Sequence, residues 1–204
     1  MNQCENETVS KKVFYFNAEE DNSIYQFSKH LNHLIEYKLS TNKSIVLLCI
    51  GSDRATGDCL GPIVGYKLAK LNYPDIHIYG TLANPVHAKN LDSTLALIKH
   101  KHHDCCIIAI DASLGSTNHI GYVTLGIGSL YPGIGVDKDL PEVGDIFITG
   151  IVNISGLLNQ MLLQTTRLDT VMRLADYICT GIRYCLFQRY HSTSRNTHIE
   201  QNAR

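Results

Sequence analysis

Asp58 and Asp111 are the residues of this chain whose type and placement best suit chemistry. Asp58 stands in Ile50-Gly51-Ser52-Asp53-Arg54-Ala55-Thr56-Gly57-Asp58-Cys59-Leu60-Gly61-Pro62, straight after the apolar run 45–50. Asp111 ends a second apolar run, Cys105-Cys106-Ile107-Ile108-Ala109-Ile110. Two carboxylates that meet can share a proton, polarise a water or hold a cation. Each also has an ordinary role: Asp58 suits a helix N-cap, and Asp111 a turn cap at the end of a strand. Helix amides and dipole would hold Asp58 ionised, whereas the flanking Ile107, Ile108 and Ile110 would desolvate Asp111 and raise its pKa. One ionised and one protonated carboxyl is the division that acid–base hydrolysis requires.

The neighbouring residues narrow the chemistry. The turn 51–61 has glycines but no Gly-Lys-Ser/Thr and no Gly-x-Gly-x-x-Gly, which excludes the two common phosphate loops. Helix N-terminal amides near the 51–57 turn are the expected donors to a developing oxyanion. Gly51, Asp53 and Gly57 in this turn, with His87, are the expected substrate-binding residues. His87 follows the strand expected over 75–81, in Gly80-Thr81-Leu82-Ala83-Asn84-Pro85-Val86-His87. Asp58, Asp111 and His87 are the set that would hold a divalent metal if one is used, although no metal or other cofactor is required by the reading. The plainer role for His87 is a first-turn residue bonded to nearby backbone. Cys59 reads as a packing residue, and Ser113 and Ser116 lack the Gly-x-Ser-x-Gly elbow of a serine hydrolase. Asp137, Asp139 and Glu142 read as surface acids of a loop, and His100, His102 and His103 as the solvated end of a helix.

To place those groups together, the chain needs an open α/β sheet, where ligands bind at the carboxyl ends of the strands. Spacing predicts a helix over 21–39, strands over 44–50, 75–81 and 105–111, and helices over 60–71 and 84–100 between them. Short, continuously apolar strands alternating with helices imply parallel pairing. Only about seven residues separate the third strand from the next, over 119–125, too few for a helical crossover, so that strand is expected to run antiparallel. A further strand over 146–152 and helices over 155–164 and 168–187 complete a three-layer α/β/α domain with a mixed, mostly parallel sheet. The expected organisation is a flexible segment over 1–20, one domain over 21–190 and a disordered tail over 191–204.

Composition sets the outer limits. At 204 residues, 44% hydrophobic and 18% charged, the chain suits one globular domain. A net charge of −1 offers no field to recruit nucleic acid or an anionic membrane. Seven cysteines, without a CxxC pair, do not read as a disulfide framework or a structural zinc site. No basic-then-apolar leader and no membrane-length apolar run is visible, so the expected location is the cytoplasm.

The sequence resembles the sporulation protein YyaC family of spore-forming bacteria over residues 44–185. Besides the Cys49 to Pro62 segment, the resemblance is carried by Tyr79-Gly80-Thr81, Pro85-Val86-His87-Ala88 and Ile110-Asp111-Ala112. It continues in Pro132-Gly133-Ile134-Gly135-Val136, Lys138-Asp139-Leu140-Pro141, Val143-Gly144-Asp145 and Thr149-Gly150-Ile151-Val152-Asn153. That family looks like a relative of the germination protease and of hydrogenase maturation endopeptidases, which implies a phosphorylase/hydrolase-like fold. Thr56-Gly57-Asp58-Cys59-Leu60-Gly61-Pro62 and Ile110-Asp111-Ala112 occupy the motifs of the germination protease aspartates, so the resemblance implies Asp58 and Asp111 as the catalytic pair. The downstream histidine of the hydrogenase proteases has no match here, and nickel is not carried over.

The expectation is therefore a spore-associated peptidase acting on a protein or peptide, with small acid-soluble spore proteins as candidate substrates, in the sporulating cell or spore core. A metal-dependent or metal-recognising maturation endopeptidase is one alternative. A non-catalytic sporulation factor that binds a partner in the crevice is the other.

Overall fold

All five residues of Ile45–Cys49 are buried, the pattern of a strand covered on both faces. In the computed structural model, which describes residues 12–39, 44–132 and 140–201, this strand (β2) lies inside a six-stranded sheet. The other strands are β1 (Val13–Asn17), β3 (Ile76–Tyr79), β4 (Cys106–Gly115), β5 (Tyr122–Ile127) and β6 (Ile146–Ile154), in the order β1-β5-β6-β4-β2-β3. β3, β2, β4 and β6 pair in parallel, while β5 pairs antiparallel with both β6 and β1. The antiparallel direction expected of β5 is found, with β6 inserted between it and β4.

Alternate residues of the strands serve opposite layers. Ile45, Leu47 and Cys49 join Ile108, Ile110, Ile146 and Ile148 in a core shared with helices α1 (Ser23–Lys38), α2 (Leu60–Leu68) and α5 (Leu168–Gln201). Val46, Leu48, Ile50 and Ala109 face the other way, onto Leu91 and Ile98 of α3 (Leu91–Lys101) and onto Leu130 and Val143. A short helix, α4 (Asn159–Gln164), lies between β6 and α5. The expected α/β/α architecture with a mixed, mostly parallel sheet is the one found.

Four differences have physical causes. β1 falls inside the segment 1–20 expected to be flexible; Phe16 is its single buried residue, so its edge pairing with β5 left almost no hydrophobic pattern to read. The helix expected from residue 84 begins at Leu91 instead, because Val86 is drawn into a parallel bridge with Ile50. β4 runs four residues beyond Asp111, so Asp111 sits within the strand and does not end it. Backbone helix continues to Gln201 through a stretch expected to be disordered, with no proline or glycine between Gly181 and Gln201 to break it. The residues 1–11 and 133–139, with the loop acids Asp137 and Asp139, lie outside the described residues.

At the end of α3, His102 is more than a solvated cation. Its ring stacks on His77 at 3.8 Å between centroids, its Nε2 lies 2.9 Å from the Tyr79 hydroxyl, and burial pushes its pKa down. No described helix is long and apolar enough to cross a membrane.

Candidate active site

Two glycines bend the chain leaving β2 back onto the strand. Gly51 has φ +139°, and a Cβ built there would lie 2.1 Å from the carbonyl oxygen of Asp58. Ser52 N–H donates to that same carbonyl at 3.0 Å, closing the turn. A Cβ on Gly61 would lie 2.0 Å from the carbonyl oxygen of Ile50, so α2 starts in backbone contact with the end of β2. The 3-10 turn Gly57–Cys59, which carries Asp58, is thereby pressed against β4.

Asp111 arrives from β4 alongside. Ile50 N–H donates to the Ile110 carbonyl at 2.7 Å, which places the start of the turn beside Asp111. On the other side, Gly51 N–H donates to Val86 at 2.8 Å and brings His87 to the same edge. The three candidate groups thus come from three neighbouring segments at the carboxyl ends of parallel strands, where open α/β sheets bind ligands.

Asp111 is 7% exposed and is the only buried Asp, Glu, Lys, Arg or His among the described residues. Its Oδ1 accepts the Ala112 N–H at 2.8 Å. Burying a carboxylate costs stability unless it is paired or hydrogen-bonded, so a buried acid inside the sheet is a candidate for a functional role.

Asp58 is half-buried, and its pKa is raised. Burial is the largest cause, opposed by a hydrogen bond from Ser52 and by the charge of His87. The shift runs opposite to the one expected from a helix terminus. The N-cap of α2 is Cys59, with no side-chain capping bond, so the helix does not compensate Asp58 for its lost water.

That reversal has a consequence for stability. The folded protein binds the Asp58 proton more tightly than the unfolded chain does, so this group's penalty is fully present above its folded pKa. The penalty is relieved as pH falls through that value toward the ordinary carboxylate range of about 3.9. Asp58→Asn, which cannot ionise, should raise Tm at neutral pH. The gain over wild type should vanish in acid, where both side chains are neutral. Melting curves of the two proteins across that range check it; a lower Tm at neutral pH would mean that Ser52 and His87 outweigh burial.

The other candidates divide between structural and exposed positions. A Cβ on Gly57 would meet Leu163 Cδ2 and Thr166 Oγ1 at 2.9 Å, so this glycine seats the turn beneath α4. Asp53 is exposed. His87 N–H donates to Asn90 Oδ1 at 2.8 Å, and His87 Nδ1 accepts from Lys89 N–H at 3.3 Å. His87 also lines a cavity of about 480 Å³ with Thr81, Pro85, Asn90 and Thr94, and neither aspartate lines it.

Among the described residues, no three His, Cys, Asp or Glu side chains gather into a group able to hold a metal ion. Asp58, Asp111 and His87 therefore do not form the cation site considered from the sequence. The amides of Gly51, Ser52, Arg54 and Cys59 are already used within the turn and its neighbours, so these four do not serve as oxyanion donors.

Cys59 is no nucleophile in waiting. Burial raises its thiol pKa, the charges of Asp58 and Asp53 raise it further, and Sγ donates to the Ala55 carbonyl at 3.3 Å. Cys59→Ser should leave any activity within about threefold of wild type, since a thiol kept protonated supplies no attacking thiolate. A loss approaching that of a catalytic residue, measured as turnover, would reinstate it.

Thr124 and Thr149 are not singled out from the sequence, and Ser113 is weighed there only as a nucleophile. Thr149 pairs with Asp111 across β4 and β6. Its Oγ1 lies 2.6 Å from Thr124 Oγ1 and accepts from Ser113 Oγ at 3.2 Å. These hydroxyls form a row next to the buried acid. The available signal was the alternation Asp111, Ser113 on one strand and Thr149 on its neighbour, polar positions inside otherwise apolar runs.

Comparison with known proteins adds the family. The Uncharacterized protein YyaC of Bacillus subtilis is 48% identical over 143 residues, which is 70% of this chain and 70% of that protein. Two solved structures are more distant. A NiFe hydrogenase maturation protease, HycI from Thermococcus kodakarensis, shares 16% identity at a TM-score of 0.40, covering 76% of this chain and 99% of that one. A hydrogenase 3 maturation protease shares 13% identity at a TM-score of 0.31, covering 67% and 90%. A family model described as Protein of unknown function (DUF1256) matches residues 15–181, and the chain belongs to that family.

Proposed function

We propose that this protein is a peptidase that works with Asp58 and Asp111 as an acid–base pair. The observation that carries the reading is the pairing of environments. Asp111 is the one buried acid among the described residues, and the turn pressed against its strand presents an Asp58 whose proton is held more tightly than usual. A buried acid and a second carboxyl with a raised pKa at the strand ends of an open sheet are a functional-site signature. The match of 56–62 and 110–112 to the aspartate motifs of the germination protease supports the same pair.

In this reading Asp58 and Asp111 share the roles of base and acid. The ionised carboxylate takes a proton from a water as its oxygen attacks the scissile carbonyl carbon. The protonated partner then gives its proton to the amide nitrogen as the C–N bond breaks. The products are a carboxylic acid and an amine, and proton exchange with solvent restores the pair. The row Thr124, Thr149 and Ser113 holds polar hydrogens beside that chemistry. A spore protein as substrate, and the sporulating cell or spore core as the place of action, follow from the family resemblance and belong to the same proposal.

The test is cleavage of a peptide library and of small acid-soluble spore proteins by the full chain, with and without a strong chelator. The expected result is cleavage that survives chelation, because the side chains at the site gather no metal-holding group. Cleavage abolished by the chelator and restored by a divalent metal would favour the metal-dependent alternative. No cleavage under any condition, with a partner bound in the crevice, would favour the non-catalytic factor.

A further inference from the structure

Residues 146–166 contain no Asp, Glu, Lys, Arg or His. Within and just past this uncharged run, Ile154, Leu157, Leu158, Met161 and Leu168 are exposed, Leu157 completely. Among the described residues, only one further Leu, Ile or Met, Leu97, is exposed. Scattered surface aliphatics need no explanation, but a concentration on one segment does.

The segment is fixed over the candidate active site. Ser155 N–H donates to the Gly115 carbonyl at 2.8 Å, which ties its start to the end of the strand that bears Asp111. Asn153 Nδ2 donates to the Leu162 carbonyl at 3.0 Å and to Thr166 Oγ1 at 3.3 Å, tying α4 back to β6. The inner side of α4 places Leu163 and Thr166 on Gly57, next to Asp58. Leu158 and Met161, three residues apart, point from its outer side into solvent. An apolar surface thus borders the turn that carries Asp58, on a segment that this turn and the sheet hold in place.

We infer that the outer face of residues 154–161 is the recognition surface of the site, and that it takes an uncharged, apolar stretch of a protein or peptide chain. The inference rests on the peptidase reading for the fate of that stretch, though not for its binding. The absence of charge is what selects the occupant. A charged side chain laid on this face would lose hydration with no opposite charge to meet it, while Leu, Ile, Met or Phe would bury area on both partners. A membrane surface would call for basic residues along the same face, and the run has none.

The experiment compares two sets of fluorescent peptides, one uncharged and rich in Leu, Ile and Met, the other of equal length with Asp and Lys interspersed. Wild type, the triple variant Leu157→Ser/Leu158→Ser/Met161→Ser and the single variant Leu158→Lys are tested for binding and for cleavage. These side chains are exposed, so a thermal melt should match wild type, and the single variant serves if the triple does not fold. Wild type should prefer the apolar set, and the variants should weaken binding or raise KM for it by about 10-fold or more, the burial of one leucine. The charged set should be unaffected.

Apolar binding without cleavage, lost in the variants, would sustain the surface while the peptidase reading fails. Cleavage of both sets alike, with KM unchanged in the variants, would overturn the surface while the peptidase reading stands. The inference also falls if wild type binds neither set. It falls equally if the wild type sediments as a dimer that the triple variant dissolves, or if it co-sediments with neutral phosphatidylcholine vesicles.

Discussion

Asp58→Asn and Asp111→Asn should each lower peptide turnover by roughly 10²-fold or more, the scale of general acid–base catalysis. Asparagine keeps the shape of each side chain and removes its capacity to carry or exchange a proton. At residue 111 the amide oxygen can still accept the Ala112 N–H, so the strand edge should hold its geometry. Because the two acids act on one water and one leaving nitrogen, the double variant should lose little more than the worse single. The reading separates their roles through stability as well. Asp58→Asn should raise Tm at neutral pH because burial penalises its charge. Loss of turnover with a rise in Tm cannot be mistaken for unfolding. A double variant with wild-type turnover would refute the assignment, and additive losses would mean that the acids serve separate steps.

The fold was legible where strands are buried on both faces. The run at Ile45–Cys49 and the helix faces at Phe27, Leu31 and Ile35 or Leu60, Val64 and Leu68 declare themselves, since each element buries a continuous stripe. β1 did not, because an edge strand with one buried side chain obeys its partner β5 more than its own pattern. The first turn expected of α3 was lost to a tertiary pairing, Val86 with Ile50, that no local spacing announces. At the C-terminal end, composition argued for disorder, but an unbroken run without proline or glycine continues the preceding helix.

The site was legible as positions and illegible as electrostatics. Asp58 and Asp111 could be placed at one sheet edge because each follows an apolar run that had to be a strand. The direction of the Asp58 shift could not be read. Asp58 was expected to gain from a helix terminus, yet the 3-10 turn Gly57–Cys59 intervenes and Cys59 takes the N-cap position. Burial then dominates. Gly51 and Gly57, expected to meet substrate, turn out to set the approach of backbone to backbone and of turn to helix, a requirement written in glycines but not in which neighbour presses on them.

Gly61→Ala should destabilise the protein by roughly 3 kcal/mol or more, at the upper end of overpacking, and should displace Asp58. The sign is the informative part. Gly61 lies in the first turn of α2, where propensity alone would favour alanine by up to about 1 kcal/mol. Against that, its Cβ would stand 2.0 Å from the Ile50 carbonyl oxygen, 2.7 Å from the Ile50 nitrogen and 2.8 Å from the Ile50 carbonyl carbon. All three are backbone atoms of the residue that ends β2 and pairs with both Val86 and Ile110, so no side chain can swing aside to relieve the contact. Either α2 retreats from the sheet or the Ile50 bridge opens, and both movements carry Asp58 away from Asp111. Gly121→Ala provides the control, since Gly121 has φ +88° with nothing within 4 Å of its Cβ. It should cost only backbone strain, about 1 kcal/mol. Urea midpoints of the two variants, read beside peptide turnover, decide the matter. A midpoint for Gly61→Ala at or above wild type would show that α2 does not press on β2, and the close approach that sets the turn of Asp58 against the sheet would have to be abandoned.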